Sequence, residues 1–278
     1  MNGAEPRGEA GSNEHGATIV MRDVGLHFGE GPTAVQALGG IDLEVGAGEF
    51  VSLLGPSGCG KSTIIGAVAG LTPISEGKLW VDGREVRAPS PERGVVFQQH
   101  TLFPWKTVLK NVEFGLKLRG VAGPERTRLA RAILAEVGLL EFLNHYPEQL
   151  SGGMQQRVNL ARVLVTRPRV ILMDEPFCAL DAQTRLQMQK LLLALWQSFH
   201  MTVVFVTHDV DEAVFLSDRV LVLTERPGRI KTELTVNLPR PRTHDLLTGP
   251  PFIKLKRRAL ELMLGGELGE NPQNSAAL

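Results

Sequence analysis

Gly55-Pro56-Ser57-Gly58-Cys59-Gly60-Lys61-Ser62 follows directly on the apolar run Phe50 to Leu54 and opens into the helical run Ser62 to Leu71. Strand, glycine-rich loop and helix in that order fit GxxxxGK[ST], the phosphate-binding loop. Its glycines let the backbone curl until successive N–H groups converge on phosphate oxygens, and the helix start adds partial positive charge. On this reading Gly55, Pro56, Ser57, Gly58, Cys59 and Gly60 form the cradle. The Lys61 ammonium offsets the charge of a β- and γ-phosphate, Ser62 ligates Mg²⁺, and Thr63 completes the nucleotide contacts. Cys59 serves through its backbone, as a small residue and not as a nucleophile.

A phosphate loop needs a second handle on the metal, and Val170-Ile171-Leu172-Met173-Asp174-Glu175 supplies it at the end of a buried strand. Asp174 is placed to hold Mg²⁺ through water, and Glu175 to act as general base on the water that attacks the γ-phosphate. An isolated Asp-Glu pair would merely cap a strand. Four apolar residues before it and a phosphate loop in the same chain favour the catalytic role.

Outward from these motifs, Ile19 to Phe28, Val203 to Thr207 and Arg219 to Leu223 are further strand candidates, and the continuous apolar runs suit strands buried on both faces. The pattern predicts an α/β fold with a mainly parallel sheet covered by helices. From about Gln99 to Thr166 strand signals give way to helical ones. One predicted helix has Pro124 in its first turn, an apolar face of Leu129, Ile133, Leu134 and Val137, and Gly138 as its stop. Another starts at Ser151 as N-cap, carries Met154, Val158, Ala161 and Val165, and ends before Pro168. The expected organisation is a disordered leader over 1–17, a folded core over 18–98 and 167–240, a helical insert over 99–166, and a C-terminal helix and tail over 241–278. Within that tail, Phe252 to Leu264 reads as an amphipathic helix with a basic side of Lys254, Lys256, Arg257 and Arg258, stopped by Gly265-Gly266.

Composition narrows the partners. Thirty Lys+Arg balance thirty Asp+Glu, so no global field draws the chain to nucleic acid or anionic lipid. Its longest apolar run, Ile64 to Leu71, is far below the roughly 18 residues a membrane-spanning helix needs. Two cysteines, Cys59 and Cys178, make no disulfide framework, the start of the chain carries no apolar signal segment, and a reducing cytoplasm is expected.

Leu150-Ser151-Gly152-Gly153-Met154-Gln155-Gln156-Arg157 decides among phosphate-loop proteins, because it resembles the signature motif of ABC transporter ATPases. Physically, the Ser151 hydroxyl and the N–H groups of Gly152 and Gly153 at a helix start make a second anion site. The resemblance implies that two cassettes pair head to tail, each signature, including Gln155, closing on the other's ATP. It carries over further residues in order. Gln98, before Gln99, matches the glutamine that senses Mg²⁺ and the γ-phosphate. Asp181, in Ala179-Leu180-Asp181, matches the loop at the dimer seam, and His208 matches the switch histidine at the γ-phosphate. Phe28 matches the aromatic that stacks on adenine, although it also fits an ordinary core position in an alternating strand.

Leu102-Phe103-Pro104-Trp105 with Val108 to Leu118, and Leu221 to Arg229, are similar to cassettes of the nitrate, sulfonate and taurine importer group. That likeness implies an antiparallel β edge beside the parallel core. It also implies a homodimer on the cytoplasmic side of the inner membrane, working with transmembrane permease subunits and an extracytoplasmic solute-binding protein. Leu102 to Val112, with Phe103 and Trp105, is the candidate groove for a permease helix. A non-transport or export-type ABC ATPase is the alternative; the spacing from Lys61 to Asp174 leaves no room for the coiled coil of some non-transport members.

Overall fold

The computed structural model describes residues 16–29, 31–98 and 101–264. In chain order its strands are β1 (Ile19–Phe28), β2 (Val35–Val45), β3 (Phe50–Leu54), β4 (Glu76–Val81), β5 (Arg84–Glu85), β6 (Arg93–Val96), β7 (Val170–Asp174), β8 (Thr202–Thr207), β9 (Arg219–Leu223) and β10 (Ile230–Thr235). Its α-helices are α1 (Lys61–Ala69), α2 (Val108–Leu118), α3 (Gly123–Glu136), α4 (Gly152–Leu164), α5 (Ala182–Phe199), α6 (Val210–Leu216) and α7 (Pro250–Met263). No described helix is long and apolar enough to cross a membrane.

The apolar runs become the centre of a six-stranded sheet ordered β10-β9-β3-β8-β7-β6, parallel except for the β9–β10 pair. Every residue of β3 and β8 is buried. Side chains alternate across β3, so Phe50 and Leu54 enter one core with α4 to α7 while Val51 and Leu53 enter the other with α1.

β1 pairs antiparallel with β2 and β4 in a separate four-stranded sheet, β2-β1-β4-β5, the antiparallel edge expected beside the parallel core. The exposed Arg22 and Asp23 in its middle explain why: a polar break suits a sheet with one wet face. Ala17, assigned to the leader by composition, is buried, and its carbonyl accepts from Thr202 Oγ1 (2.7 Å). Gly16 is likewise buried, its N–H donating to His200 O (2.7 Å), while residues 1–15 of the predicted leader, Gln99 and the Gly265-Gly266 stop lie outside the described residues.

Between β6 and β7 the described residues hold α2, α3 and α4 and no strand. Thr107 caps α2, and Ser151 Oγ accepts from Met154 N–H (3.3 Å) to cap α4. Gly138 leaves α3 at φ 71°, with Ile133, Leu134 and Val137 buried above it. Val163 of α4 packs directly on Gly94 of β6.

The loop ahead of α2 is held by Asn111, which is wholly buried. Its Oδ1 accepts from Phe103 N–H (2.8 Å), and its Nδ2 donates to the carbonyls of Phe103, Lys106 and Thr107 (3.2, 2.9 and 3.1 Å). That knot presents Trp105, 71% exposed, beside a cavity of about 360 Å³ that Lys106, Glu113, Phe114 and Tyr146 also line. Far from it in sequence, α7 buries Phe252 and Ala259 while Lys254, Arg257 and Arg258 face solvent. Lys256, expected on the same basic side, instead pairs with Asp211 Oδ2 (2.8 Å).

Candidate nucleotide site

A cavity of about 380 Å³ opens where the two sheets meet the phosphate loop. Phe28, Val35 and Ala37 wall it from the antiparallel sheet. Ser57, Gly58 and Gly60 to Thr63 contribute from the loop and α1, and Glu175 and Arg226 close it. Gly60 turns into α1 at φ 101°, a left-handed conformation that glycine adopts freely. The amides of Lys61, Ser62 and Thr63 then begin the helix with no carbonyl one turn behind to accept from them.

Lys61 is 5% exposed, and its Nζ donates to Gly55 O (2.9 Å) and Pro56 O (2.8 Å). Cys59 is buried beneath the loop, in keeping with a backbone role. Phe28 is 49% exposed, which removes the core reading of that residue and leaves its ring free at the cavity.

Ser62 Oγ donates to Asp174 Oδ1 (3.0 Å), joining the loop to the end of β7. Burial pushes the Asp174 carboxyl above its usual range, and neighbouring Glu175 adds to the rise, against the bond from Ser62 and the charge of Lys61. A cation placed there would reverse that balance. Among the described residues no group of three or more His, Cys, Asp or Glu could hold a metal alone. One hydroxyl and one carboxylate, both hard oxygen donors, fit Mg²⁺ that takes its other ligands from phosphate and water.

Glu175 leaves the strand at φ 44°, a left-handed conformation costing a non-glycine residue about 1–2 kcal/mol, while its N–H donates to Val206 O (3.0 Å). The kink sets its carboxylate in the cavity wall, with His208 Nδ1 3.3 Å from Oε2. Behind His208, Thr207 Oγ1 donates to Glu212 Oε2 (2.7 Å), and Asp209 caps α6.

Gln98 Nε2 donates to Cys178 Sγ (3.4 Å), and Gln98 is not among the cavity-lining residues. Cys178 itself is exposed. Gln155 turns inward, its Nε2 donating to Pro147 O (3.0 Å) and Leu150 O (3.2 Å), so it braces the signature turn. Of the two signature glycines, Gly152 is open. Gly153 is buried, and a Cβ on it would overlap Thr184 Cγ2 of α5.

Asp181 caps α5 through Thr184 N–H (2.9 Å), and bonds from Thr184 hold its carboxyl below the usual range. Ser151 and Gly152 are exposed, and no signature residue lines the cavity of its own chain. The motif reading missed Val35, Ala37 and Arg226, none of which lies in a glycine-rich or acidic motif.

The profile of the ABC transporter family matches residues 38–178. The chain is 54% identical over 229 residues to an uncharacterized ABC transporter ATP-binding protein of Methanocaldococcus jannaschii, covering 82% of this chain and 85% of that one. It is 47% identical over 243 residues to the nitrate import ATP-binding protein NrtD of Synechocystis sp., covering 85% and 91%. It is 48% identical over 206 residues to the taurine import ATP-binding protein TauB of Rhizobium johnstonii, covering 74% and 79%. Among solved structures, a dimeric ATP-binding cassette in a post-hydrolysis state bound to ADP and Pi matches with TM-score 0.70 and 34% identity over 80% of this chain and all of that one.

Proposed function

The chain belongs to the ABC transporter family and is an ATP-hydrolysing cassette, and from that premise we propose that it powers an importer of a small anion such as nitrate, a sulfonate or taurine. In this reading two copies pair head to tail on the cytoplasmic side of the inner membrane, against transmembrane permease subunits served by an extracytoplasmic solute-binding protein. The solute class is supported by the nitrate and taurine import relatives, and the pairing by the dimeric cassette structures. The groove beside Trp105 is the permease contact.

The observation that carries the chemistry is the single cavity joining Phe28, Lys61, Ser62 and Glu175, with Asp174 bonded to Ser62. Phe28 stacks on the base. Lys61 exchanges its two carbonyl bonds for phosphate oxygens, and the amides of Lys61 to Thr63 cradle the chain of phosphates. Ser62 and Asp174 hold Mg²⁺, which supplies charge neutralisation when bound. Glu175 orients the attacking water and takes its proton, and His208, 3.3 Å away, steadies that carboxylate beside the γ-phosphate. Because Ser151 and Gly152 stay out of their own chain's cavity, they serve the ATP of the other copy.

Glu175→Gln tests both halves. It keeps the shape but removes the base, so hydrolysis falls by roughly 10² or more while ATP affinity survives. With ATP and Mg²⁺ the variant should accumulate a dimer in light scattering, and Ser151→Arg added to it should abolish that dimer. A Glu175→Gln protein that hydrolyses ATP at the unaltered rate would remove the residue from the reaction. A strictly monomeric protein in complex-free and permease-bound preparations alike would overturn the pairing.

A further inference from the structure

Arg226 stands in the turn between β9 and β10, and that turn is fastened to the phosphate loop. Gly228 N–H donates to Ala37 O (2.9 Å), and Gly228 O accepts from Gly39 N–H (3.0 Å), which sews the turn to β2. Thr224 Oγ1 has Glu225 O (2.9 Å) and Pro227 O (3.1 Å) within reach of its single proton and accepts from Arg229 N–H (3.0 Å). Gly228 lies so near the loop that a Cβ on it would overlap the Cys59 carbonyl oxygen.

Held in this way, the Arg226 guanidinium walls the same cavity as Lys61 and Phe28, and its Nε and Nη2 donate to Gly58 O (3.3 and 3.2 Å). Lys61 and Arg226 are the two cations among the lining residues, set against one carboxylate, Glu175. Among the described residues no carboxylate pairs with Arg226, whose guanidinium donates to Gly58 O. A planar guanidinium serves two acceptors at once: the edge that binds Gly58 leaves Nη1 for another.

We propose that Arg226 is a second cationic contact for the polyphosphate chain of the nucleotide, keeping its bond to Gly58 O while Nη1 reaches the phosphate oxygens. The proposal rests on the reading that the nucleotide occupies this cavity. Several negative charges entering a pocket whose other cation is a lone, buried lysine favour such a contact. The locked turn means the guanidinium is largely ordered before the ligand arrives.

Arg226→Gln is the informative variant, because its amide stands near the place of Nε and can still donate to Gly58 O, while the charge and the Nη groups that would reach phosphate are lost. ATP and ADP affinities are measured by titration calorimetry at low and high ionic strength, with inorganic tripolyphosphate as a competitor and Lys61→Ala alongside. ATP, ADP and tripolyphosphate should each bind roughly tenfold more weakly at low salt, with a shallower salt dependence and an unchanged thermal midpoint of the nucleotide-free protein. Affinities within twofold of the parent at low salt would overturn the proposal. So would a loss seen with ATP and absent with tripolyphosphate, which would put the guanidinium at the base, or a lowered thermal midpoint matching the loss, which would make its role structural. If Lys61→Ala binds ATP as tightly as the parent, the nucleotide reading of the cavity falls and the proposal falls with it.

Discussion

Replacing Asn111 by Ala tests how the exposed Trp105 loop is built. The buried amide accepts one backbone hydrogen bond and offers its Nδ2 to three carbonyls, at 2.8 to 3.2 Å. Thr107 O keeps a second bond, from Asn111 N–H, and Phe103 O keeps one from Lys106 N–H. Phe103 N–H and Lys106 O are left with no partner among the described residues. At about 1 kcal/mol for each bond lost, with some return from water, the variant should be destabilised by about 3 kcal/mol. That is a sizeable share of a typical domain's stability, about 5–15 kcal/mol. The measurement is the urea midpoint of the purified subunit, read with its slope. Asn111→Asp sharpens the test, because a carboxylate still accepts from Phe103 N–H but sets oxygen against three carbonyl oxygens; it should be at least as damaging as Ala. A loss below about 1 kcal/mol for Ala, or an Asp variant milder than Ala, would refute the reasoning.

Trp105→Ala should do the opposite, leaving the unfolding free energy within about 0.5 kcal/mol and ATP affinity unaltered while weakening co-purification with the permease; an unfolded variant would mean that Trp105 belongs to the core. The buried Glu212 gives a pH signature. Its burial, reinforced by Asp209, raises the carboxyl above the usual range despite the bond from Thr207 and the charge of Arg185, so the native state binds that proton more tightly than the unfolded chain. Stability therefore falls as pH rises from the ordinary carboxylate value through the raised one. The difference between parent and Glu212→Gln should slope by up to about 1.4 kcal/mol per pH unit in that window and be flat outside it. A difference independent of pH would exclude Glu212 as the titrating group.

What could be read in the sequence was whatever depends on near neighbours. β3, β7, β8 and β9 are continuous apolar runs, and the phosphate loop and α4 carry their own caps and glycines. β2, though long and largely buried, escaped notice because Gly39-Gly40 and the charged Asp42 and Glu44 interrupt its apolar residues, and other missed strands are short or wet. β4 begins Glu-Gly-Lys, β6 is Arg-Gly-Val-Val, and β10 alternates half-buried with exposed residues, so none carries an apolar run long enough to register. Side-chain direction was equally hidden: Gln98 and Gln155 sit where the motifs put them, yet their amides are claimed by Cys178 and by backbone carbonyls. Arg226 meets Gly58 across 168 positions of chain, brought there by the pairing of β9 with β3, which no local pattern announces.

The seat of Val163 on Gly94 also has a mechanical meaning. α4 is a stiff rod resting on the sheet near one end and carrying Ser151 at the other, roughly 18 Å away at 1.5 Å per residue. Such a rod is a lever with its fulcrum at β6. A tilt of about 10° at the fulcrum swings Ser151 through about 3 Å, farther than a hydrogen bond tolerates. Bulk added at Gly94 should therefore displace Ser151 farther than it displaces Val163, unless the contact of Gly153 with Thr184 holds that end in place.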